Sequence, residues 1–271
     1  MPLALRSRAL TFVPFDPNRS DPGIENVVRG LWAHAASIPP AADDEALARQ
    51  FLLCYRPIVD TASGALLAVD ALVRRSHPPD GLFAIPPDAS TPGAALDAWA
   101  IAEARADGDR LHDASVAVAV QVNLASLAIE PLRLGPNSVP IALAFSERLA
   151  LRDPSATTAF CEAARALGFD VGLAGLGASA VRLDTLARLP LDFVTLDPVL
   201  LEDAALRAVV SFGRSLGWRL IATGIVNARQ LHAARQAGVE LALGRYVGTP
   251  MIVADLIAWA HARGLAAAIP P

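Results

Sequence analysis

Apolar positions run nearly unbroken through two neighbouring stretches, LLCYRPIVD (52–60) and GALLAVDALV (64–73), with the turn-forming Thr61-Ala-Ser-Gly64 between them. Two apolar runs around such a signal predict adjacent strands joined by a tight connection. From Ala46 onward short, β-prone apolar runs continue at Ser115–Val122, Val139–Phe145, Phe169–Leu173, Phe193–Leu196, Trp218–Ala222 and Glu240–Leu243. Between them three- and four-residue apolar spacing predicts helices over Gly93–Arg110, Pro154–Leu167, Ala178–Leu189, Glu202–Leu216, Asn227–Ala237 and Val253–Arg263. Alternating strands and helices imply a parallel α/β sheet. Roughly eight such units suggest a closed (β/α)8 barrel, and a doubly wound open sheet fits the same pattern. Residues 1–45 differ: prolines at 14, 17, 22, 39 and 40 surround one amphipathic candidate helix, Ile24–Ser37, whose stripe contains Val27, Val28, Leu31 and Ala35. The division expected is therefore an N-terminal extension, 1–45, and a barrel-sized domain, 46–271.

Composition narrows the class. Of the 271 residues 54% are hydrophobic and 18% charged, which predicts a chain that is mostly packed rather than disordered. A formal charge of -4 gives no electrostatic reason to expect nucleic acid. No apolar run reaches membrane-spanning length without a charge or proline, and MPLALRSRAL lacks the apolar core of a signal peptide, so a soluble cytoplasmic protein without membrane insertion is expected. Cys54 and Cys161, one in a predicted strand and one in a predicted helix, read as buried free thiols.

The second predicted strand delivers Asp70, Arg74, Arg75 and His77 within eight residues, a carboxylate and basic groups of the kind a phosphate or metal site requires. The glycines of Gly172-Leu-Ala-Gly-Leu-Gly177 superficially suggest a phosphate loop, but their spacing is neither that of a dinucleotide fingerprint nor that of a P-loop. The five histidines are scattered and read as solvated or capping residues.

Tyr55-Arg-Pro-Ile-Val-Asp60, followed by Asp70-Ala-Leu-Val-Arg74 and His77-Pro78, resembles the opening signature of EAL domains, the bacterial cyclic di-GMP phosphodiesterases. The likeness continues in order through Val122-Asn-Leu-Ala-Ser126, Leu143-Ala-Phe-Ser-Glu147, the 173–190 loop and helix, Val194-Thr-Leu-Asp197, Ala222-Thr-Gly-Ile-Val226 and Leu243-Gly-Arg-Tyr to Pro250. It implies a modified (β/α)8 TIM-type barrel whose first strand runs antiparallel to the rest. It also implies where the family's metal ligands and catalytic groups would stand. Asp70 replaces the Glu of the name motif, and Asn123 keeps the amide ligand. The next Glu falls on Ala144, with Glu147 matching only the second Glu of that motif. The paired aspartates fall on Ala174 and Gly175, the lysine on Thr195, and the remaining Glu and Gln on Thr223 and Leu243.

Divalent ions that bind phosphodiesters need hard oxygen ligands, and Asp70 with Asn123 is too small a set. The resemblance therefore implies a degenerate, non-catalytic regulator of cyclic di-GMP signalling with no metal and no cofactor, acting through an unidentified protein partner. The alternative is a metal-independent cyclic di-GMP receptor, with Arg56, Asp70, Leu72, Arg74, Arg245 and Pro250 as candidate contacts and Arg182 nearby. An active phosphodiesterase is the least expected reading. Homodimerisation through the 178–189 segment is a further expectation.

Overall fold

The computed structural model describes residues 44–77, 81–84, 93–116, 118–127, 139–177, 183–202 and 204–264. The candidate helix 24–37, Arg182 and the start of the 178–189 segment lie outside these residues. A helix α1 (Asp44–Gln50) crosses the boundary expected at residue 45 and leads directly into β1 (Phe51–Asp60).

β1 and β2 (Leu66–His77) form the expected hairpin, antiparallel from Phe51 opposite Arg75 to Val59 opposite Leu66. Asp60 fixes the turn: one carboxylate oxygen accepts from Ser63 N at 2.6 Å, Ser63 Oγ at 2.6 Å and Ala62 N at 3.1 Å. Gly64 follows at φ +75, a conformation costly for any residue with a Cβ. A short strand β3 (Gly81–Ala84), not foreseen from the sequence, extends β2 as a second antiparallel pairing.

The chain then continues through α2 (Gly93–Asp113), β4 (Ala119–Leu124), β5 (Ile141–Ser146), α3 (Glu147–Arg152), α4 (Pro154–Ala166), β6 (Asp170–Leu176), α5 (Leu183–Leu186), β7 (Phe193–Leu196), α6 (Leu206–Ser215), β8 (Arg219–Ala222), α7 (Ala228–Ala237), β9 (Leu241–Ala242) and α8 (Val253–Ala262). β2 and β4 to β9 pair in parallel, in sequence order. β1 pairs antiparallel with both β2 and β9, so the sheet closes on itself as an eight-strand barrel with β3 outside the ring. Closure excludes the open-sheet alternative and puts the antiparallel strand where the resemblance implied it.

Local chemistry sets the helix ends. Asp153 caps α4 by accepting from Ala156 N at 3.0 Å, with Pro154 in the first turn. Asn227 caps α7 from Gln230 N at 2.9 Å, and Gly238 ends it at φ +90. The helix expected over 202–216 is instead a 3₁₀ turn, Pro198–Glu202, followed by α6.

Among the described residues two apolar clusters result. The larger lies between strands and helices and contains, among others, Val120, Val122, Leu143, Phe145, Leu173, Val194 and Leu220. The smaller draws Ile58, Ala68, Ala144, Ala174, Phe193, Ile221 and Leu243 from seven different strands or strand ends. Only the space enclosed by the barrel adjoins that many strands, so this second cluster marks its interior. Gly172 makes room there, since a Cβ at that position would stand 2.4 Å from the Phe193 ring. No described helix is long and apolar enough to cross a membrane.

Candidate functional site at the barrel mouth

Strand alternation aims every second residue inward, and at the C-terminal ends of the parallel strands these inward residues form the mouth where barrel enzymes carry their chemistry. Asp70 on β2 faces this space and is 1% exposed. Both of its carboxylate oxygens are taken. Oδ2 accepts from Arg56 Nε at 2.9 Å and from Arg56 Nη2, while Oδ1 accepts from Gln121 Nε2 at 3.0 Å and Asn123 Nδ2 at 2.6 Å. The register explains the meeting: Arg56 sits directly opposite Asp70 on β1, and Gln121 is level with Asp70 on β4. Asn123 Nδ2 also donates to Ala71 O at 3.2 Å. Arg56 thus supplies the positive charge that the buried carboxylate needs.

The other inherited positions line the same mouth without forming a ligand set. Ala144 and Leu243 are buried members of the interior apolar cluster, and Ala174 packs against it. Gly175, at φ +79, donates its backbone N–H to Thr195 Oγ1 at 2.8 Å. Thr195 is thereby committed to holding the end of β6. Thr223 Oγ1 donates to Leu196 O at 2.8 Å, which binds β8 to β7. Glu147 is buried at the start of α3.

Divalent ions of the kind that act on phosphodiesters therefore do not fit these residues. Ala144, Ala174, Gly175 and Leu243 offer no side-chain donor, and Asp70 already accepts four hydrogen bonds from cationic or amide groups. Among the described residues no group of three or more His, Cys, Asp or Glu side chains is arranged to hold a metal.

The remaining candidates are dispersed. Leu72 and Arg74 are half-buried on β2, and Arg74 Nη1 donates to Val73 O at 3.1 Å. Arg245 and Pro250 are exposed in the segment between β9 and α8. The structure thus joins Arg56, Asp70 and Asn123, and leaves Arg74, Arg245 and Pro250 outside that network. Arg56, expected as a nucleotide contact, is bound to Asp70. The glycines of the 172–177 run serve packing: a Cβ on Gly177 would meet Leu200 at 2.6 Å, as one on Gly172 would meet Phe193.

Two residues with clear roles escaped the sequence reading. Gln121 is one, although its place two residues before Asn123 put it on the same strand face. The other is Asp97 in α2, which accepts from Ala125 N at 2.7 Å, Ser126 N at 2.8 Å and Ser126 Oγ at 2.9 Å. It clamps the strand end that presents Asn123. Burial pushes its carboxyl up to about 6 against the opposing effect of those three donors. Burial likewise raises the Cys54 thiol, with Arg74 pulling the other way, and pushes Cys161 up to about 12, so neither cysteine is a thiolate nucleophile at neutral pH.

This geometry coincides with a definite kinship. The EAL domain family profile matches residues 41–250. A cyclic di-GMP phosphodiesterase of Pseudomonas aeruginosa is 25% identical over 267 residues, covering 89% of this chain and 45% of the relative. The bifunctional diguanylate cyclase/cyclic di-GMP phosphodiesterase MucR of the same organism is 28% identical over 242 residues, covering 78% of this chain and 34% of the relative. The chain spans less than half the length of these two relatives. Among solved structures, a MucR phosphodiesterase in complex with c-di-GMP superposes with a TM-score of 0.65 at 23% identity, covering 86% of this chain and 99% of that one. The FimX EAL domain from Pseudomonas aeruginosa bound to c-di-GMP gives 0.61 at 18% identity, covering 83% and 96%. With the profile spanning most of its length and the closed barrel carrying its antiparallel first strand, the chain belongs to the EAL domain family.

Proposed function

We propose that this barrel is a non-hydrolysing EAL domain that serves cyclic di-GMP signalling as a regulator acting through a protein partner. The observation that carries this reading is the Asp70 carboxylate, saturated by Arg56, Gln121 and Asn123. Phosphodiester hydrolysis by divalent ions needs free oxygens to hold the ions and a group to orient the attacking water. Here the guanidinium takes the charge-balancing role, and the positions expected to supply further oxygens are Ala144, Ala174 and Gly175. Thr195, at the lysine position, donates no positive charge and is engaged by Gly175.

Incubating the purified protein with cyclic di-GMP and magnesium or manganese, then resolving the nucleotides by chromatography, tests this. The cyclic dinucleotide stays intact on this account. Its linearisation with ordinary turnover would overturn it.

A second reading, metal-independent capture of cyclic di-GMP, is favoured by one observation: among the described residues neither Arg74 nor Arg245 has a carboxylate partner, and arginine binds phosphate oxygens without a metal. Calorimetry in the presence of a chelator separates the two. Heat of binding that Arg74→Ala weakens supports the receptor, and no heat at saturating nucleotide leaves the partner-binding regulator. The expected homodimer contact involves the 178–189 segment, of which α5 and the exposed Asp184 are described.

A further inference from the structure

A groove of about 330 Å³ opens where α1, the start of β1, α2 and the start of α8 come together. Its lining is mainly apolar: Ala48 of α1, Phe51 and Leu52 of β1, Trp99 of α2, and Ile252 and Val253 at the start of α8. Phe51 and Trp99 are buried, with ring centroids 6.3 Å apart, and form a packed floor. The lip is different, because Ala48 is exposed and Ile252 is 44% exposed. As the residue before α8, Ile252 makes no side-chain cap bond, so local helix chemistry does not account for an aliphatic group there. The polar edge is answered from within: Asp107 accepts from Tyr55 Oη at 2.6 Å and from Arg110 Nη1 at 3.0 Å, with Glu103 half-buried one turn earlier on α2. What the groove offers an occupant is therefore apolar contact.

The chain itself supplies such an occupant. The wall at Ala48 belongs to α1, which begins at Asp44, and residues 38–43 alone separate α1 from the stretch Ile24–Ser37. In that stretch Ile24, Val28, Leu31 and Ala35 follow the spacing by which an amphipathic helix fills a groove, while Glu25, Arg29 and Ala33 fall off the stripe. The sequence Ile38-Pro-Pro40 stops the helical pattern after Ser37 and stiffens the link. Six linking residues span at most about 20 Å, so the stripe is always within reach of the groove. A tether that short holds the segment at a high effective concentration, which any separate partner must outcompete.

We infer that residues 24–37 of this chain dock as an amphipathic helix in the groove between α1, β1, α2 and α8, with the side bearing Val28, Leu31 and Ala35 against it. The groove floor belongs to β1, which also carries Arg56 to Asp70, so the docked segment braces the strand that shapes the mouth.

Cross-linking within the full chain tests this. Ile252→Cys is combined in turn with Leu31→Cys and Ala35→Cys on the stripe, and with Arg29→Cys and Ala33→Cys off it, and each protein is treated with a short bis-maleimide. The native thiols of Cys54 and Cys161 are buried and raised in pKa, and stay unreacted. Linkage within one chain is expected to be about tenfold or more faster from positions 31 and 35 than from 29 and 33, because all four share nearly the same tether and differ in face. Equal rates from both faces would show a tether without docking, and linkage between chains would make a second copy the occupant; either result, or no linkage at all, would overturn the inference. An unchanged circular dichroism spectrum certifies each variant. Hydrogen exchange gives a second measurement: Leu31→Asp should raise amide exchange within 24–37 and leave β5 and β6 unchanged, whereas unaltered exchange within 24–37 would equally overturn the docking. None of these results bears on whether the barrel hydrolyses the nucleotide, so failure here is distinct from failure of the regulator reading.

Discussion

Arg56 is the residue that changes the character of the mouth. The β1–β2 register puts this cation directly against Asp70. A carboxylate 1% exposed with its partner removed is costly, because charge left in the interior without a counter-charge is poorly solvated. Arg56→Ala is expected to destabilise the fold by about 3 kcal/mol. The double variant Arg56→Ala/Asp70→Ala loses less than the sum of the two single changes, and urea denaturation of the three variants measures the coupling. Asp97 makes the second prediction at this scale. Its folded carboxyl keeps a proton up to about pH 6, above the ordinary carboxylate range, so between roughly pH 4 and that value the folded state binds more protons than the unfolded one. The Asp97 contribution to stability is therefore full below the unfolded pKa and lost as pH rises through the folded one. Carbon-13 NMR of the Asp97 carboxyl should show its midpoint near 6, and a midpoint in the ordinary carboxylate range would contradict the burial. The sequence displayed Asp70 and Asn123 as neighbours in a motif frame. It did not display Arg56 as the carboxylate's partner, because that pairing depends on a hairpin register and not on spacing along the chain.

Elements follow the same logic. The hairpin was legible because Thr61 to Gly64 breaks two apolar runs, and α4 and α7 because helical apolar spacing runs through 154–167 and 227–237, with the caps Asp153 and Asn227 seen in the folded chain. β3 was not, since four residues between prolines carry too little periodicity, and neither was α3, a six-residue helix that begins at the last residue of the 143–147 motif, although Ser146 caps it. The 172–177 glycines show how one sequence feature supports two readings until packing is known. Gly172 lies where its neighbour strand places the Phe193 ring, so Gly172→Ala forces a clash that overpacks the barrel interior, at a cost of about 1–3 kcal/mol. Adding Phe193→Leu should recover much of that loss in thermal melts. A harmless Gly172→Ala would show that the ring does not fill the axis.

At the scale of the whole molecule the barrel is closed by strand pairing. β1 closes the ring through a long pairing with β2 and a two-residue pairing with β9, reinforced where Met251 meets Tyr55. Tyr55 also reaches outward to donate to Asp107 of α2 at 2.6 Å, so the closing strand is anchored to the helical layer as well. Among the described residues the interior beneath the mouth is largely apolar, and the buried Asp70 carboxylate is paired with the Arg56 guanidinium. Family kinship and barrel class were both visible in the ordered motifs, because they depend on many weak matches in one frame. The internal ion pair required the folded chain. Titration of manganese(II) with the protein, followed by electron paramagnetic resonance, measures the central claim most directly. The spectrum of the free ion should persist undiminished as protein is added, whereas stoichiometric loss of that signal, restored by Asp70→Asn, would contradict the account.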